Sequence, residues 1–496
     1  MTLHPATALA AIDIGSNSFR LEIAELPRGR YRRLEYLKET VRLGAGLDED
    51  GRLTEAAMQR GLDCLQRFAE RLKGFAPERV RAVATQTLRE AKNRDEFLAR
   101  AERALGFAIE VISGREEARL IYAGVAHLQA SDEPRLVIDI GGRSTEMILG
   151  RGRQPSSAES FQVGSVSLSL RFFPDGRFSA EAFRAAQVAA GAELEEALSL
   201  FKPSMWRQAL GSSGTVGAVA QILAANGISD GRITAEGLRW CIAQCLIAGA
   251  VDRLALPGLK DDRRAVVGGG LCILYTLLTQ FGIEELQPAK GALRQGVILD
   301  LAERLEPAGR RGADMRAASV AVLQQRFGVD LEQAARVQGL ALKLHRQLEP
   351  AAPAELRREL GWAAALHEIG MMVSHHDHHR HSAYLLAHVD AAGFSQNQLR
   401  RLGHLALGQR GGLRKLEAQL ADETLLWQVL ALRLAAIACH ARGSVGPRPL
   451  RLQRQGRKLD LALPLRWARE QPRLLYLLQE EAQAWQRSGA LELNLA

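Results

Sequence analysis

Two stretches of the chain share one pattern: a short apolar run, an aspartate, a glycine turn rich in hydroxyl groups, and apolar residues in alternation. In the first, residues 8–12 (ALAAI) lead into 13–18 (DIGSNS) and then 19–24 (FRLEIA). In the second, residues 135–138 (RLVI) lead into 139–145 (DIGGRST) and then 146–149 (EMIL). Short apolar runs predict buried strands, and the alternation after each turn predicts a second strand. We therefore expect two β-hairpins in two internally repeated α/β domains.

Both turns carry groups that can bind phosphate. Glycine permits positive φ and a close approach of the backbone, so successive N–H groups can point at phosphate oxygens. The strand-end carboxylates of Asp13 and Asp139 would repel phosphate but suit a hard divalent cation. A single turn of this kind is common and would be weak evidence. Because the chain has two, we expect a metal–phosphate site in which both turns bind the same phosphate chain from opposite sides.

A further carboxylate is offered by residues 112–121 (ISGREEARLI). Ser113 and Glu116 have the spacing of a capping box, which gives Glu116 a structural role. Glu117 is then the acid left for chemistry. The local sequence by itself favours the alternative, a solvated acid stabilised by the helix dipole.

Together these motifs resemble the exopolyphosphatase and guanosine pentaphosphate phosphatase (Ppx/GppA) family, within the superfamily of actin, sugar kinases and heat-shock chaperone ATPases. The segments that carry the resemblance are 13–19 (DIGSNSF), 85–91 (TQTLREA), 112–121, 137–146 (VIDIGGRSTE) and 291–296 (GALRQG). They span the first three fifths of the chain, and the remainder is compatible with the long members that have a helical extension. The implied fold class is α/β: two actin-like, ribonuclease H-like domains, then an all-α HD-like domain and a small α+β domain.

The resemblance also implies a role for each site residue. Glu117 would be the base that takes a proton from, or orients, the attacking water. Asp139 and Glu146 would hold magnesium, and Asp13 would lie near the same centre, with the capping of a turn as its alternative. Potassium is left open as a second cation. The implied phosphate contacts are Ser16, Asn17, Ser18, Arg89, Gly141, Gly142, Arg143, Ser144 and Thr145.

The second turn departs from the family pattern at Arg143, where a third glycine is usual. Its side chain either adds a cation for a polyanion or turns to solvent, and the second orientation is favoured. Two other glycine-rich segments are 211–217 (GSSGTVG) and 266–271 (VVGGGL). For each, the sequence leaves two roles open: contact with phosphate, or packing within the fold.

Composition narrows the class of protein. The chain has 496 residues, of which 47% are hydrophobic, so it can form several cores. Without an apolar run of about 20 residues or a leader-like N-terminus, we expect a cytoplasmic protein with no integral membrane segment, peripheral at a membrane at most. The five cysteines lack metal or disulfide spacing and are predicted to be reduced core residues.

Charge points to an acidic partner. The net charge of +9 suits polyphosphate, whose binding would depend on salt as nucleic-acid binding does. Aromatic residues make up only 5% and are not interleaved with the basic runs, which argues against specific nucleic-acid recognition.

We expect four domains, at residues 1–131, 132–304, 305–442 and 443–496, with a linker over 306–312. Helical patterns cover 317–327, 331–348 and 354–372 of the third domain. The fourth predicts a hairpin over 450–463, a helix that ends before Gly489, and a final strand.

The third domain resembles HD-type phosphohydrolases without keeping their metal site. His345 could be the first ligand, but the expected His-Asp pair reads His367-Glu368, and Ala435 stands where a late aspartate is expected. We therefore interpret the domain as a scaffold that extends a polymer-binding surface. The histidine-rich stretch 375–381 leaves transition-metal binding open.

The function predicted from the sequence is a magnesium-dependent exopolyphosphatase that releases orthophosphate from the end of inorganic polyphosphate. Guanosine pentaphosphate 5′-phosphatase activity is the alternative, because both activities in the family use the same motifs. A kinase-type ATPase and a non-catalytic polyphosphate- or nucleic-acid-binding protein are further alternatives. A homodimer is expected from the resemblance alone.

Overall fold

The computed structural model describes residues 7–306, 314–442, 450–463 and 469–495. The chain forms two compact units, Met1–Gly312 and Ala313–Ala496. The predicted linker over 306–312 and the predicted boundary at 443 lie almost wholly outside the described residues. The division into four domains stays a prediction.

The first unit contains two five-stranded sheets with the same topology. The first sheet has the strand order β3-β2-β1-β4-β5 and the second has the order β8-β7-β6-β9-β10. In each, three antiparallel strands form a meander and two further strands add in parallel. This repetition confirms the prediction of two related α/β halves. The strands are β1 (Leu9–Ile14), β2 (Phe19–Glu25), β3 (Arg32–Glu39), β4 (Val80–Ala84), β5 (Ile109–Val111), β6 (Arg135–Ile140), β7 (Thr145–Arg151), β8 (Gln154–Phe161), β9 (Gln208–Gly211) and β10 (Leu286–Pro288).

Both predicted hairpins are present. Each aspartate is the last but one residue of its strand, so it takes part in the antiparallel pairing. Asp13 lies opposite Arg20, and Asp139 lies opposite Glu146. The two hairpins therefore have the same register and the same four-residue turn, residues 15–18 and 141–144.

Two helices of the first unit, α4 and α11, share one core with both sheets. Their apolar residues pack with side chains of β1 and β4 from the first sheet and of β6, β7 and β9 from the second. The helices approach closely because glycine lies at their contact: a Cβ on Gly296 would lie 1.8 Å from the carbonyl oxygen of Leu120. The segment 291–296 thus packs α11 against α4. The helices of this unit are α1 (Glu55–Arg71), α2 (Gln86–Glu90), α3 (Arg94–Leu105), α4 (Gly114–Leu128), α5 (Ser165–Phe172), α6 (Ala180–Leu194), α7 (Gly214–Ala225), α8 (Ala235–Ala248), α9 (Asp261–Arg264), α10 (Val267–Gln280) and α11 (Leu293–Leu305).

The second unit is mainly helical. The helices predicted over 317–327 and 331–348 are present, whereas the one predicted over 354–372 ends at Ala365 and is followed by a 3-10 turn, Ile369–Met372. The predicted hairpin, helix and last strand at the C-terminal end are also present. Their apolar side chains, including Trp485, belong to the same core as those of the helices, including Trp427. The elements are α12 (Met315–Arg326), α13 (Leu331–Leu348), α14 (Ala354–Ala365), α15 (His378–His388), α16 (Gln396–Gly408), α17 (Glu423–Ala438), β11 (Arg451–Gln455), β12 (Lys458–Ala462), α18 (Pro472–Ser488) and β13 (Glu492–Leu495).

The five cysteines are buried and unpaired, as predicted. Within the described ranges, no helix combines the length and the apolar character needed to cross a bilayer.

Candidate active site

The two glycine turns lie on facing walls of a cleft in the first unit. The cleft has a volume of about 480 Å³, which is within the usual range for ligand sites. The turns come close together: a Cβ on Gly142 would lie 3.0 Å from the Cβ of Ser16. Further lining comes from the start of α7 (residues 212–215) and from residues 289–295 at the start of α11.

Both turns present free backbone donors. Among the described residues, the N–H groups of residues 16–18 and 142–144 have no acceptor. The side-chain amide nitrogen of Asn17 and the hydroxyl of Ser18 are also buried without a hydrogen-bond partner. Clustered N–H donors of this kind bind anions. The turns therefore have the chemistry that the sequence predicted for phosphate.

Glu117 lies in the first turn of α4 and faces the cleft. Ser113 caps the helix by accepting a hydrogen bond from the Glu116 N–H at 3.2 Å, as predicted, and the Glu116 carboxylate pairs with Arg119 at 2.8 Å. The Glu117 side chain is buried and accepts a hydrogen bond from Arg89 at 2.8 Å. Burial raises the pKa of Glu117 to about 7, although Arg89 acts in the opposite direction. A carboxylate of this kind can accept a proton near neutral pH.

Asp139 and Glu146 face each other across the second hairpin. Asp139 accepts a hydrogen bond from the hydroxyl of Ser212, and Glu146 accepts one from Ser160 at 2.8 Å. Burial raises the pKa of both carboxyls, and the charge of Glu117 raises that of Glu146 further. The second carboxylate oxygen of Glu146 is buried without a hydrogen-bond partner.

This pair of carboxylates fits a magnesium ion. An orphaned buried oxygen and crowded like charges both call for a cation, and magnesium typically takes only one or two protein carboxylates beside waters and substrate phosphates. The described residues include no group of three or more His, Cys, Asp or Glu side chains able to hold a metal, and the magnesium site stays a prediction.

Asp13 has a different environment. Its carboxylate pairs with Arg20 at 2.9 Å and lies 3.6 Å from Arg294, which in turn pairs with Glu22 at 3.1 Å. The charge of Asp13 is thus balanced by two arginines. Its predicted place beside the magnesium ion stays a prediction.

The other predicted phosphate contacts divide into two groups. Ser16, Asn17, Ser18, Gly141, Gly142 and Ser144 line the cleft. Arg89 lies behind Glu117, bound to the Ile112 carbonyl at 2.9 Å, and its second terminal nitrogen is buried without a partner. Thr145 is buried and donates its hydroxyl to the Val163 carbonyl at 2.6 Å, so that hydroxyl is committed within the fold.

Arg143 takes neither of the two orientations considered from the sequence. Its guanidinium pairs with Glu90 at 2.7 Å and donates to the Gly44 carbonyl at 3.2 Å. Both partners belong to the first half of the unit. The arginine therefore ties the second turn to the opposite half, since a carboxylate and a carbonyl there satisfy it better than solvent.

Several cleft residues were missed by the sequence analysis. They are basic, and they come from segments far apart in the chain: Arg20, Arg33, Lys38, Lys260, Arg263, Lys290 and Arg294. Arg20 could have been found from its place opposite Asp13 in the hairpin, and Arg294 from its place in the segment 291–296. The others carry no local signal. Arg33, Lys260, Arg263 and Lys290 form no ion pair with any described residue, so the cleft offers uncommitted cations to an anionic ligand.

Comparison with known proteins identifies the family of this chain. The profile described as the Ppx/GppA phosphatase family matches residues 23–305, and that of Ppx/GppA phosphatase domain III matches residues 315–482. The chain belongs to the Ppx/GppA phosphatase family. The resemblance inferred from the motifs is thereby confirmed.

Two curated relatives match the Ppx/GppA chain over nearly its whole length. The protein from Aeromonas hydrophila is 37% identical, covering 98% of this chain and 98% of the relative. The one from Vibrio vulnificus is 38% identical, covering 95% of each. Both are named guanosine-5′-triphosphate,3′-diphosphate pyrophosphatase.

Solved structures match a smaller share of the Ppx/GppA chain. An exopolyphosphatase-like protein is 27% identical with a TM-score of 0.55, covering 60% of this chain and 98% of the other. An exopolyphosphatase from Cytophaga hutchinsonii is 26% identical with a TM-score of 0.54, covering 60% of this chain and 99% of the other. These matches support the predicted actin-like α/β fold, while the HD-like character of the helical region stays a prediction.

The two glycine-rich segments left open by the sequence have different roles. Residues 212–215 line the cleft, and the Ser212 hydroxyl binds Asp139. Gly268, Gly269 and Gly270 are buried in α10, where a Cβ on Gly269 would lie 2.6 Å from the Ser165 carbonyl oxygen. The first segment belongs to the site and the second packs α10 against α5.

The region matched by Ppx/GppA domain III contains the histidines considered as HD-type ligands. His345 and His367 are buried, and burial lowers the pKa of His367 to about 4. Glu368 pairs with Arg442 at 2.9 Å, which commits the carboxylate that replaces the expected aspartate. His375 and His378 have ring centroids 6.4 Å apart. Among the described residues, these histidines belong to no group of three or more His, Cys, Asp or Glu side chains that could hold a metal.

Proposed function

We propose that this chain hydrolyses guanosine pentaphosphate, removing the terminal phosphate of its 5′-triphosphate. The observation that carries the proposal is the full-length likeness, at 37–38% identity, to relatives named for guanosine-5′-triphosphate,3′-diphosphate. The likeness covers both units rather than the first alone. It reverses the preference for polyphosphate that was drawn from the sequence.

In this proposal Glu117 is the general base. It takes a proton from the water that attacks the terminal phosphorus, and its pKa of about 7 suits it to accept that proton near neutral pH. The free N–H groups of the two turns hold the phosphates in line. Arg89, which lies behind Glu117, orients that carboxylate through its hydrogen bond at 2.8 Å, and its contact with phosphate stays a prediction.

Magnesium would be held by Asp139 and Glu146, and it would neutralise non-bridging oxygens of the substrate. Its removal by a chelator is expected to abolish phosphate release. Potassium as a second cation, and a homodimer as the working assembly, stay proposals.

Inorganic polyphosphate is the second candidate substrate. It is favoured by the seven basic side chains of the cleft, which would suit any polyanion, and by the solved relatives that carry the name exopolyphosphatase. Both substrates would use the same carboxylates, so the carboxylates by themselves do not separate them.

The deciding experiment measures magnesium-dependent phosphate release from guanosine pentaphosphate and from long-chain polyphosphate in parallel at matched salt. We expect the higher kcat/KM for guanosine pentaphosphate, and the loss of both activities in Glu117→Gln. A higher kcat/KM for polyphosphate would replace the proposed substrate with the second candidate. Activity that survives Glu117→Gln would overturn the assignment of the base.

A further inference from the structure

Tyr36 is the only aromatic side chain among the described residues that line the cleft, and it is 38% exposed. A half-exposed aromatic ring on the wall of a polar, phosphate-binding cleft needs an explanation, because nothing in hydrolysis of the terminal phosphate requires one.

The position of Tyr36 follows from the register of the first sheet. Asp13, Arg20 and Lys38 lie opposite one another on β1, β2 and β3 and so form one row across the sheet. Tyr36 precedes Lys38 by two residues and therefore points to the same face, in the next row. Because neighbouring strands are about 4.8 Å apart, β3 lies roughly 10 Å from β1. Tyr36 therefore lies on the same wall of the cleft as Arg20 and Lys38, two strands away from Asp13.

Two arginine guanidinium groups lie over the ring, and because Arg33 is the exposed one, it is the one that a base would displace or stack with. The Arg294 guanidinium carbon lies 5.0 Å from the ring centroid, and its pairing with Glu22 fixes it there. The Arg33 guanidinium carbon lies 5.6 Å from the centroid, and Arg33 is exposed and forms no ion pair with a described residue. The Tyr36 hydroxyl likewise has no hydrogen-bond partner in the described part of the chain.

An exposed aromatic ring beside an uncommitted guanidinium is the combination on which nucleobases stack. A base has a flat π-face that an inorganic phosphate chain lacks. We infer that Tyr36, together with Arg33, binds the purine base of the substrate by stacking and so selects a nucleotide over an inorganic phosphate chain. The inference deepens the proposed function and rests on it.

The test compares kcat and KM for guanosine pentaphosphate and for tetrapolyphosphate, which has phosphates but no base, in the wild type and in Tyr36→Ala, Tyr36→Phe and Tyr384→Ala. Tyr384 is a matched control, since it is a 65% exposed tyrosine of α15 outside the set of cleft-lining residues. We expect Tyr36→Ala to raise KM for guanosine pentaphosphate about tenfold relative to its effect on tetrapolyphosphate. Tyr36→Phe keeps the ring and should behave as the wild type, as should Tyr384→Ala.

Two outcomes would overturn the inference. An equal loss on both substrates in Tyr36→Ala would mean that the ring only positions Arg294. An unchanged KM for guanosine pentaphosphate would mean that the base binds elsewhere.

Calorimetric titration with guanosine pentaphosphate, with calcium in place of magnesium, separates a failure of the inferred base site from a failure of the proposed function. Suppose that the wild type binds guanosine pentaphosphate but releases no phosphate from it, and that Tyr36→Ala binds it more weakly. This result would overturn the proposed reaction and support the base site. If the wild type hydrolyses guanosine pentaphosphate and Tyr36→Ala binds and hydrolyses it equally well, the proposed function is supported and the base site is overturned.

Discussion

The two hairpins of the cleft share length, register and turn, yet their facing rows carry opposite charge patterns. In the first, Asp13 lies opposite Arg20, which lies opposite Lys38. In the second, Asp139 lies opposite Glu146, which lies opposite Ser160. One backbone frame therefore carries a cation-rich row in the first hairpin and an acidic row in the second, where Asp139 lines the cleft and Glu146 is buried beside it.

The difference has an energetic meaning. Side chains directly opposite on an antiparallel pair contact each other, so Asp13 and Arg20 stabilise the first hairpin, whereas Asp139 and Glu146 repel each other in the second. Burial strengthens that repulsion because water no longer screens it. An unfavourable pair at this position is expected at a functional site, where a bound cation relieves it. The first hairpin is balanced by its own side chains, whereas the second would be balanced by the magnesium ion of the proposed function.

The largest effect is expected from Glu146→Gln, which keeps the shape of the side chain and removes one of the two like charges. We expect kcat to fall about a thousandfold, because the residue that would hold magnesium beside Asp139 is lost. Phosphate release with magnesium measures this.

Glu159→Gln is the matched control for that variant. Glu159 is the neighbour of Ser160 on β8, lies opposite Met147 on the other face of the sheet, and pairs with Arg115 at 2.9 Å. It should keep the wild-type rate. A rate in Glu146→Gln within a few-fold of the wild type would contradict the assignment of the cation to the second hairpin.

Asp13→Asn should have a smaller effect. It leaves Arg20 and Arg294 without their shared carboxylate, so both side chains shift, and a shift near the reacting groups costs between about tenfold and a hundredfold in kcat. The measurement is the same assay. A loss as large as that of Glu146→Gln would make the hairpins equivalent and would support Asp13 as a magnesium ligand.

What the sequence could predict here depended on local signals. The two hairpins follow from apolar runs and a repeated turn, and Glu117 follows from the cap at Ser113 and the family resemblance. The contrast between Arg20 and Glu146 was also readable, since each stands seven residues after its aspartate. Lys38, Lys260 and Arg263 reach the cleft only through tertiary folding, and no local pattern marks them. The direction of Arg143 depended on Glu90, which belongs to the opposite half.

The pH dependence of stability should also separate the hairpins. Burial raises the pKa of Glu117 to about 7 and that of Glu146 well above its usual range. In the unfolded chain such carboxyls ionise near pH 4. As pH rises above this value, the unfolded state loses its protons first, so the free energy of unfolding falls until the folded groups have ionised too.

We therefore expect the melting temperature without metal to be lower at pH 8 than at pH 5.5, and magnesium to raise it more at pH 8. Because other groups also titrate, the quantity to compare is the difference in melting temperature between the wild type and Glu146→Gln. This difference should be smaller at pH 5.5 than at pH 8. Identical magnesium shifts at both pH values would contradict the picture of a second hairpin completed by a cation.

The smallest effect is expected from Arg143→Gly, which restores the third glycine of the family pattern. The Arg143–Glu90 pair is partly exposed, with 21% and 27% of the side chains accessible, and such pairs contribute at most about 1 kcal/mol. We expect a melting temperature lower by about 2–4 °C and a rate within a few-fold of the wild type. Glu90→Gln should give a similar loss of stability, and the double variant should lose little more than either single one, because both remove the same tie between the halves.

The opposite result would change the role of Arg143. If Arg143→Gly raised KM about tenfold and left the melting temperature unchanged, the arginine would leave Glu90 on substrate binding and contact phosphate, as the resemblance implied. The second turn would then supply a cation beside its acidic row, and the charge contrast between the two hairpins would be weaker in the bound state than in the free protein. Glu90→Gln separates these cases, because freeing Arg143 from its partner should lower KM only if the arginine moves to the substrate.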